Sequence, residues 1–142
     1  KSRSLAGMRI GYAFGSETLI STLEAVKNSY NSYTMDSLAL AVGEASIRDE
    51  AYFRETCRKV AATRDRAADE LRALGFEVTP SLANFLFATH PKKAAPEIFS
   101  ALREKGIFIR YFKLPRIDNY LRITVGTDEQ MDALIAALKQ IL

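Results

Sequence analysis

The first residues of the sequence, KSRSLAGMRIGY, place two cationic groups of different chemistry close together. Lys1 carries a primary amine, which can add to an aldehyde and hold it covalently. Arg9 carries a guanidinium, whose planar fork of donors binds a phosphate through two parallel hydrogen bonds. The Ala6-Gly7 pair between them lets the backbone approach a ligand closely. The residue types therefore suit a compact aldehyde that bears an anion, although a lysine and an arginine near a chain start are usually only solvated.

A second pair of cations lies in the runs IFIRYF (107–112) and NYLRITVG (119–126). In the later run apolar and polar residues alternate, so a strand would place Leu121 toward the core and Arg122 on the opposite face. If the two runs pair as strands through the KLPRID loop, Arg110 lies near Arg122. Two arginines at one site suit a doubly charged acid or a phosphate ester. The alternative is that both are surface arginines.

Four other polar residues are weaker candidates. Asn84 lies in an apolar run, where a buried amide needs hydrogen-bond partners and therefore serves either a substrate or a turn. Arg116 lies in the KLPRID loop and could take the place of Arg110. Arg3 could face a phosphate, a subunit interface or solvent, and Asn31 is better explained by turn chemistry.

Apolar periodicity and turn residues predict the elements that must position these side chains. The first part of the chain is expected to contain a strand at 8–14, a helix capped by Ser16, a buried helix at 37–47 and a long helix from Asp49 to Leu74. Gly75 is expected to end the long helix. Short strands and two helices follow, and a Thr127–Gln130 capping box starts the last helix.

These elements predict an α/β protein in three parts. Residues 1–48 resemble the end of a larger lobe, 49–74 form a connecting helix, and 75–142 form a small α+β domain. Because the chain begins with lysine and not methionine, we expect it to be part of a longer protein.

Composition limits the classes of protein that the chain can belong to. The 142 residues are 48% hydrophobic and 26% charged, with a net charge of only +3, so neither nucleic-acid binding nor a membrane span is expected. A single cysteine, Cys57, favours a reducing, cytoplasmic setting. The only histidine is His90, and no spacing of ligands predicts a metal site.

The opening segment resembles the cofactor-lysine segment of the fold-type I, pyridoxal-phosphate-dependent aminotransferases of classes I and II. Lys1, the Ala6-Gly7 pair, Arg9 and the Gly-aromatic pair at 11–12 fit the family pattern. The resemblance implies that Lys1 holds pyridoxal 5'-phosphate covalently and then moves a proton at the substrate α-carbon. It also implies that Arg9 binds the phosphate of the cofactor.

The later segments resemble the histidinol-phosphate aminotransferase subgroup of the same family. SLANFLF is similar to the segment in which an Asn-Phe or Asn-Tyr pair enters the site, here Asn84 and Phe85. LRITVGT is similar to the segment with the substrate-binding arginine, here Arg122. GIFIRYF is similar to the partner strand, which carries a second arginine at Arg110. The resemblance implies that these arginines bind the carboxylate of glutamate or the phosphate of histidinol phosphate.

The resemblance further implies the C-terminal portion of a homodimeric enzyme of histidine biosynthesis, with glutamate and 2-oxoglutarate as the donor pair. Three alternatives remain open. Threonine-phosphate decarboxylases also pair arginines for phosphate and carboxylate, and aromatic amino-acid aminotransferases share the same segments. In a different class, the chain could be a non-catalytic lobe that acts in assembly.

Overall fold

A computed structural model describes residues 3–142, and in it the chain divides into two compact units, residues 1–55 and 56–142. The boundary between the units falls within the long helix. The predicted division into 1–48, 49–74 and 75–142, with its assignment to a large domain, a connecting helix and a small domain, stays a prediction.

The first unit contains a short 3-10 helix and two complete α-helices. These are the 3-10 helix Ala6–Met8, α1 (Glu17–Tyr30) and α2 (Ser37–Arg48). Ser16 caps α1 as predicted, since its hydroxyl accepts a hydrogen bond from the Leu19 N–H at 3.5 Å. Asp36 caps α2 in the same way, with 2.7 Å between its Oδ1 and the Ala39 nitrogen. Both helices thus begin where a side chain satisfies a free N–H of the first turn.

The strand predicted at 8–14 is wrong. Residues 10–16 have no regular secondary structure, and Arg9 adopts a left-handed conformation with φ of 57°. A strand needs a neighbour that pairs its backbone groups. All four strands found in residues 3–142 belong to the second unit. The strand-forming residues at 8–14 therefore have no described strand in their own unit with which to pair.

The prediction that α2 is buried is also wrong. Among its residues only Ala39 is buried, while Leu38, Leu40 and Ile47 are 66%, 59% and 59% exposed. The apolar composition of a helix indicates which surface favours burial, but burial needs another element to cover that surface. Within the first unit no described element covers this surface of α2.

The long helix α3 spans Glu50–Ala73, within one residue of the predicted limits at each end. Gly75 ends it as predicted, with φ of +90°. The Gly75 N–H donates to the Arg72 carbonyl at 2.9 Å and the Phe76 N–H to the Leu71 carbonyl at 3.1 Å. This pair of bonds is a Schellman motif, which favours glycine because of its positive φ. Cys57 lies on α3 and is exposed.

The second unit packs an antiparallel sheet against helices. Its elements after α3 are β1 (Glu77–Val78), β2 (Phe85–Thr89), α4 (Ala95–Glu104), β3 (Arg110–Tyr111), β4 (Leu121–Thr124) and α5 (Asp128–Ile141). The strands lie in the order β1-β2-β4-β3. The predicted capping box starts α5, because the Thr127 hydroxyl accepts the Gln130 N–H and the Gln130 side chain accepts the Thr127 N–H.

The core of this unit lies on one face of the sheet. Leu86, Leu121 and Ile123 point to that face and are 2%, 1% and 1% exposed. They share one buried cluster with Leu71 of α3 and Leu138 of α5. Because side chains alternate along a strand, the residues between these three point to the opposite face of the sheet, away from the core. We call that opposite face, with Phe85, Phe87, Arg110, Phe112, Tyr120 and Arg122, the outer face.

A charged network joins α3 to the start of α5. The Arg66 guanidinium donates to Asp128 Oδ1 at 2.9 Å and to Asp132 Oδ1 at 2.7 Å, and Thr63 Oγ1 donates to Asp128 Oδ1 at 2.9 Å. The hydrogen bond from Arg66, followed by the one from Thr63, holds the pKa of Asp128 below its usual range. A carboxyl with a pKa lowered by folding stabilises the fold only while it is ionised.

Asp128→Asn is therefore expected to lower the melting temperature at pH 7. The difference from the unaltered protein should shrink as the pH falls through the lowered pKa of Asp128, because both side chains are then neutral. Melting temperatures followed from pH 7 to about pH 2 check this. Asp118→Asn, at an exposed loop position, is the matched control and should leave the profile unchanged. A constant difference at all pH values would contradict the assignment.

Candidate active site

A cavity of about 610 Å³ lies within the first unit. Its lining includes Arg3, Arg9, Gly11, Gly43 and Ile47. The segment after the 3-10 helix and the C-terminal half of α2 therefore form the two sides of one depression. It is large enough for a small organic molecule.

Arg9 supplies a positive charge to this cavity. Its Nη1 donates to the Ala6 carbonyl at 3.0 Å, and among residues 3–142 no carboxylate lies within 4.0 Å of its guanidinium. A Cβ built on Gly7 or on Gly11 would meet nothing within 4 Å, so the backbone around Arg9 is open to a ligand. An unpaired guanidinium beside open backbone fits the phosphate of pyridoxal 5'-phosphate.

Arg3 lines the same cavity, but its guanidinium already makes three hydrogen bonds. Its guanidinium donates to the carbonyls of Ser46 at 2.8 Å and Asp49 at 3.1 Å, and it pairs with Glu50 at 3.0 Å. It also lies 3.9 Å from the centre of the Phe53 ring. Arg3 therefore fastens the opening segment to the junction of α2 and α3. Sequence reasoning considered phosphate, interface and solvent for Arg3 and missed this contact.

Lys1, the predicted cofactor lysine, lies outside the described residues. Its role stays a prediction that rests on the resemblance of the opening segment.

In the second unit the structure brings the two predicted arginines together. Arg110 of β3 is the direct partner of Arg122 in β4, and Arg122 is also paired with Phe87 of β2. The three side chains form one row across the outer face. The predicted pairing of the strands through the KLPRID loop is thus confirmed, while the role of the arginines in substrate binding stays a prediction.

Aromatic rings surround this arginine pair, and no described acidic side chain lies beside it. The Phe112 ring centre lies 5.5 Å from Arg110 Cζ and 5.6 Å from Arg122 Cζ, and the Phe85 ring centre lies 5.5 Å from Arg122 Cζ. Within residues 3–142 neither arginine has a carboxylate within 4.0 Å. The Arg122 Nε is buried and has no hydrogen-bond partner there. A buried free donor costs stability, so this arrangement favours an anionic ligand.

Asn84 and Arg116 are less well supported. Asn84 is exposed, so the expectation of a buried amide is wrong, and its backbone carbonyl accepts the Val125 N–H at 2.9 Å. Arg116 is exposed in the loop before β4 and has φ of 74°. Asn31 follows α1, and its Oδ1 accepts the Tyr33 N–H at 3.0 Å, which confirms the turn chemistry.

Two absences hold for the described part of the chain. Residues 3–142 contain no group of three or more His, Cys, Asp or Glu side chains placed to hold a metal ion. None of the helices there is both long and apolar enough to cross a membrane.

The mixed fold of helices and a four-stranded sheet is that of the fold-type I pyridoxal-phosphate-dependent aminotransferases. The fold is similar to that of histidinol-phosphate aminotransferase from Sinorhizobium meliloti in complex with pyridoxal-5'-phosphate, with a TM-score of 0.87 and 31% identity over 99% of this chain and 38% of that one. The family model "Aminotransferase class I and II" matches residues 1–138. The chain belongs to this family.

Two curated relatives are similar to the chain at higher sequence identity. Histidinol-phosphate aminotransferase 2 of Dechloromonas aromatica (strain RCB) is 57% identical over 99% of this chain, and histidinol-phosphate aminotransferase of Marinomonas sp. (strain MWYL1) is 55% identical over 98%. The chain spans about 40% of the length of each. That share does not by itself support the finer prediction that the matched part is the C-terminal portion.

Proposed function

We propose that this chain is part of a pyridoxal-phosphate-dependent aminotransferase that moves an amino group between histidinol phosphate and 2-oxoglutarate. The observation that carries the proposal is the arginine pair at 110 and 122, which has free donors and no neighbouring carboxylate among residues 3–142. Both substrates are anionic, one as a phosphate ester and the other as a dicarboxylate. The names of the relatives at 55–57% identity support this substrate class.

The outer face of the sheet is the proposed substrate-binding surface. Arg122 binds the distal phosphate or carboxylate through two parallel hydrogen bonds, because a guanidinium matches the geometry of either group. Arg110, as its direct neighbour, adds a second positive charge for a dianion. Asn84, one residue before β2, donates its amide N–H to the substrate. Binding at the far end of the substrate leaves its amino-bearing carbon free to react.

The cofactor is assigned to residues of the first unit. Arg9 binds the phosphate of pyridoxal 5'-phosphate, whose ring supplies an electron sink when it is bound. Lys1 would hold the cofactor covalently, and its amine, once released from that bond, would take the proton from the substrate α-carbon as a general base. A homodimer and a cytoplasmic location, both implied by the resemblance, belong to the same proposal. Analytical ultracentrifugation of the full-length protein tests the dimer.

A substrate comparison tests the function. The full-length protein that contains this chain, loaded with pyridoxal 5'-phosphate, is expected to convert histidinol phosphate and 2-oxoglutarate into the oxo product and glutamate. Its kcat/KM should exceed that for phenylalanine by about 100-fold or more, since phenylalanine has no distal anion and a charged group left without its partner costs at least that factor.

The three alternatives give different results in the same assay. Release of carbon dioxide from threonine phosphate without an oxo acceptor would identify a decarboxylase. Preference for phenylalanine would identify an aromatic aminotransferase. A protein that binds no cofactor and transfers no amino group, yet associates with a second chain, would be the non-catalytic lobe. Each of these results would overturn the proposal.

A further inference from the structure

We propose that Phe112 is a positioning residue, which holds Arg110 and Arg122 side by side with their hydrogen-bond donors free for a dianion. This inference rests on the proposed function, because it concerns how the proposed anion site is built. Phe112 itself need not contact the substrate.

The starting point is an electrostatic cost. Arg110 and Arg122 are direct partners on neighbouring strands, and like charges in that position repel each other. Proteins commonly offset such repulsion with a nearby carboxylate. Within residues 3–142 no carboxylate lies within 4.0 Å of either guanidinium, so another group must offset it.

The Phe112 ring is placed to do this for both arginines. It lies two residues after Arg110 and therefore points to the same face of the sheet. Its centre is 5.5 Å from Arg110 Cζ and 5.6 Å from Arg122 Cζ, within the distance of about 6 Å at which a cation is attracted by an aromatic face. One ring thus attracts two cations that would otherwise move apart.

An aromatic ring has a further advantage over a carboxylate at this site. A carboxylate would accept hydrogen bonds from the guanidinium and so compete with an anionic ligand. A ring attracts the charge through its quadrupole and takes up few of the donors. The buried Arg122 Nε, which has no acceptor among residues 3–142, agrees with donors kept free in this way.

Phe85 is the useful comparison, because it lies near only one of the two cations. Its ring centre is 5.5 Å from Arg122 Cζ, and it pairs with Thr124, two residues along β4. If the shared contact matters, loss of the Phe112 ring should have a larger effect than loss of the Phe85 ring.

The test uses the full-length protein with pyridoxal 5'-phosphate bound. Two quantities are measured: the ratio of kcat/KM for histidinol phosphate to that for histidinol, and the dissociation constant of inorganic phosphate by calorimetry. Phe112→Leu is expected to lower the ratio and to weaken phosphate binding, each about tenfold, with a smaller loss in Phe85→Leu. Phe112→Tyr should restore both within about twofold, because it keeps the aromatic face.

The controls separate positioning from a general effect on folding. Phe108→Leu, at a position that is 80% exposed, should change neither quantity. If Phe112→Leu lowers kcat/KM equally for both substrates, or if tyrosine does not restore the ratio, the positioning role is overturned. If Phe112→Leu does not fold, Phe112→Met carries the same test.

Arg122→Leu distinguishes failure of this inference from failure of the proposed function. If that change removes phosphate binding while Phe112→Leu leaves it intact, the inference is wrong and the arginine site stands. If Arg122→Leu leaves both quantities unchanged, the proposed anion site is wrong and the role of Phe112 fails with it.

Discussion

Replacing Lys1 with alanine is expected to abolish amino transfer in the full-length protein. A positioned general base contributes about 10²–10⁴-fold to a proton transfer, and Lys1 is also proposed to hold the cofactor, so kcat should fall by at least the upper part of that range. The segment itself should remain in place, because Arg3 fastens it to Ser46, Asp49 and Glu50. The melting temperature of the protein without cofactor should therefore stay unchanged.

Chemical labelling gives this prediction a readout besides activity. Borohydride reduction with pyridoxal 5'-phosphate present, followed by peptide mass mapping, should fix a cofactor-sized mass on the Lys1 side chain. Lys27→Ala, which removes an exposed lysine in the last turn of α1, is the matched control and should keep both the label and the activity. A label scattered over surface lysines, or full activity in Lys1→Ala, would remove Lys1 from the proposed site.

The helices and their ends could be predicted from the sequence because local residues determine them. Ser16 and Thr127 accept hydrogen bonds from the first turn of their own helices, and Gly75 adopts the positive φ that ends α3. None of these interactions needs a residue more than a few positions away. The limits of α3 were accordingly predicted to within one residue.

Burial and strand pairing were predicted less well, because they depend on distant residues. The run at 8–14 has strand-forming residue types, yet no described strand pairs with it. The apolar residues of α2 favour burial, yet Leu38 and Leu40 are 66% and 59% exposed. Periodicity identifies the apolar side of an element but not what covers it. In β4 the same alternation succeeded, since Leu121 and Ile123 are each 1% exposed.

For the candidate site, the sequence located the cations but not what surrounds them. The approach of Arg110 to Arg122 followed from two strands and a short loop, which together fix a register. The ring of Phe112 was missed, although Phe112 lies two residues after Arg110 and the period of two would have placed it on the same face. The contacts of Arg3 span more than forty residues of chain and have no local signal.

The second large effect is expected at Arg122, where activity and stability should change in opposite directions. Arg122→Leu removes the guanidinium proposed to bind the distal anion, so kcat/KM for histidinol phosphate should fall by about 100-fold or more. The same change removes a like charge beside Arg110 and a buried Nε without a partner among residues 3–142. The free energy of unfolding should therefore rise by about 1 kcal/mol, because the unsatisfied buried donor and the like charge cost more than the contacts of Arg122 with the Phe85 and Phe112 rings supply.

Kinetics and urea unfolding on the same preparations check both parts. Arg122→Lys keeps the charge but loses the paired donors of the guanidinium, so it should recover only part of the activity. Arg103→Leu, which removes an exposed arginine in the last turn of α4, is the matched control and should change neither quantity. A loss of activity accompanied by a loss of stability would mean that Arg122 serves the fold. If stability rises while activity is lost, Arg122 belongs to an anion-binding site. The free donors of such a site destabilise the fold until the substrate binds.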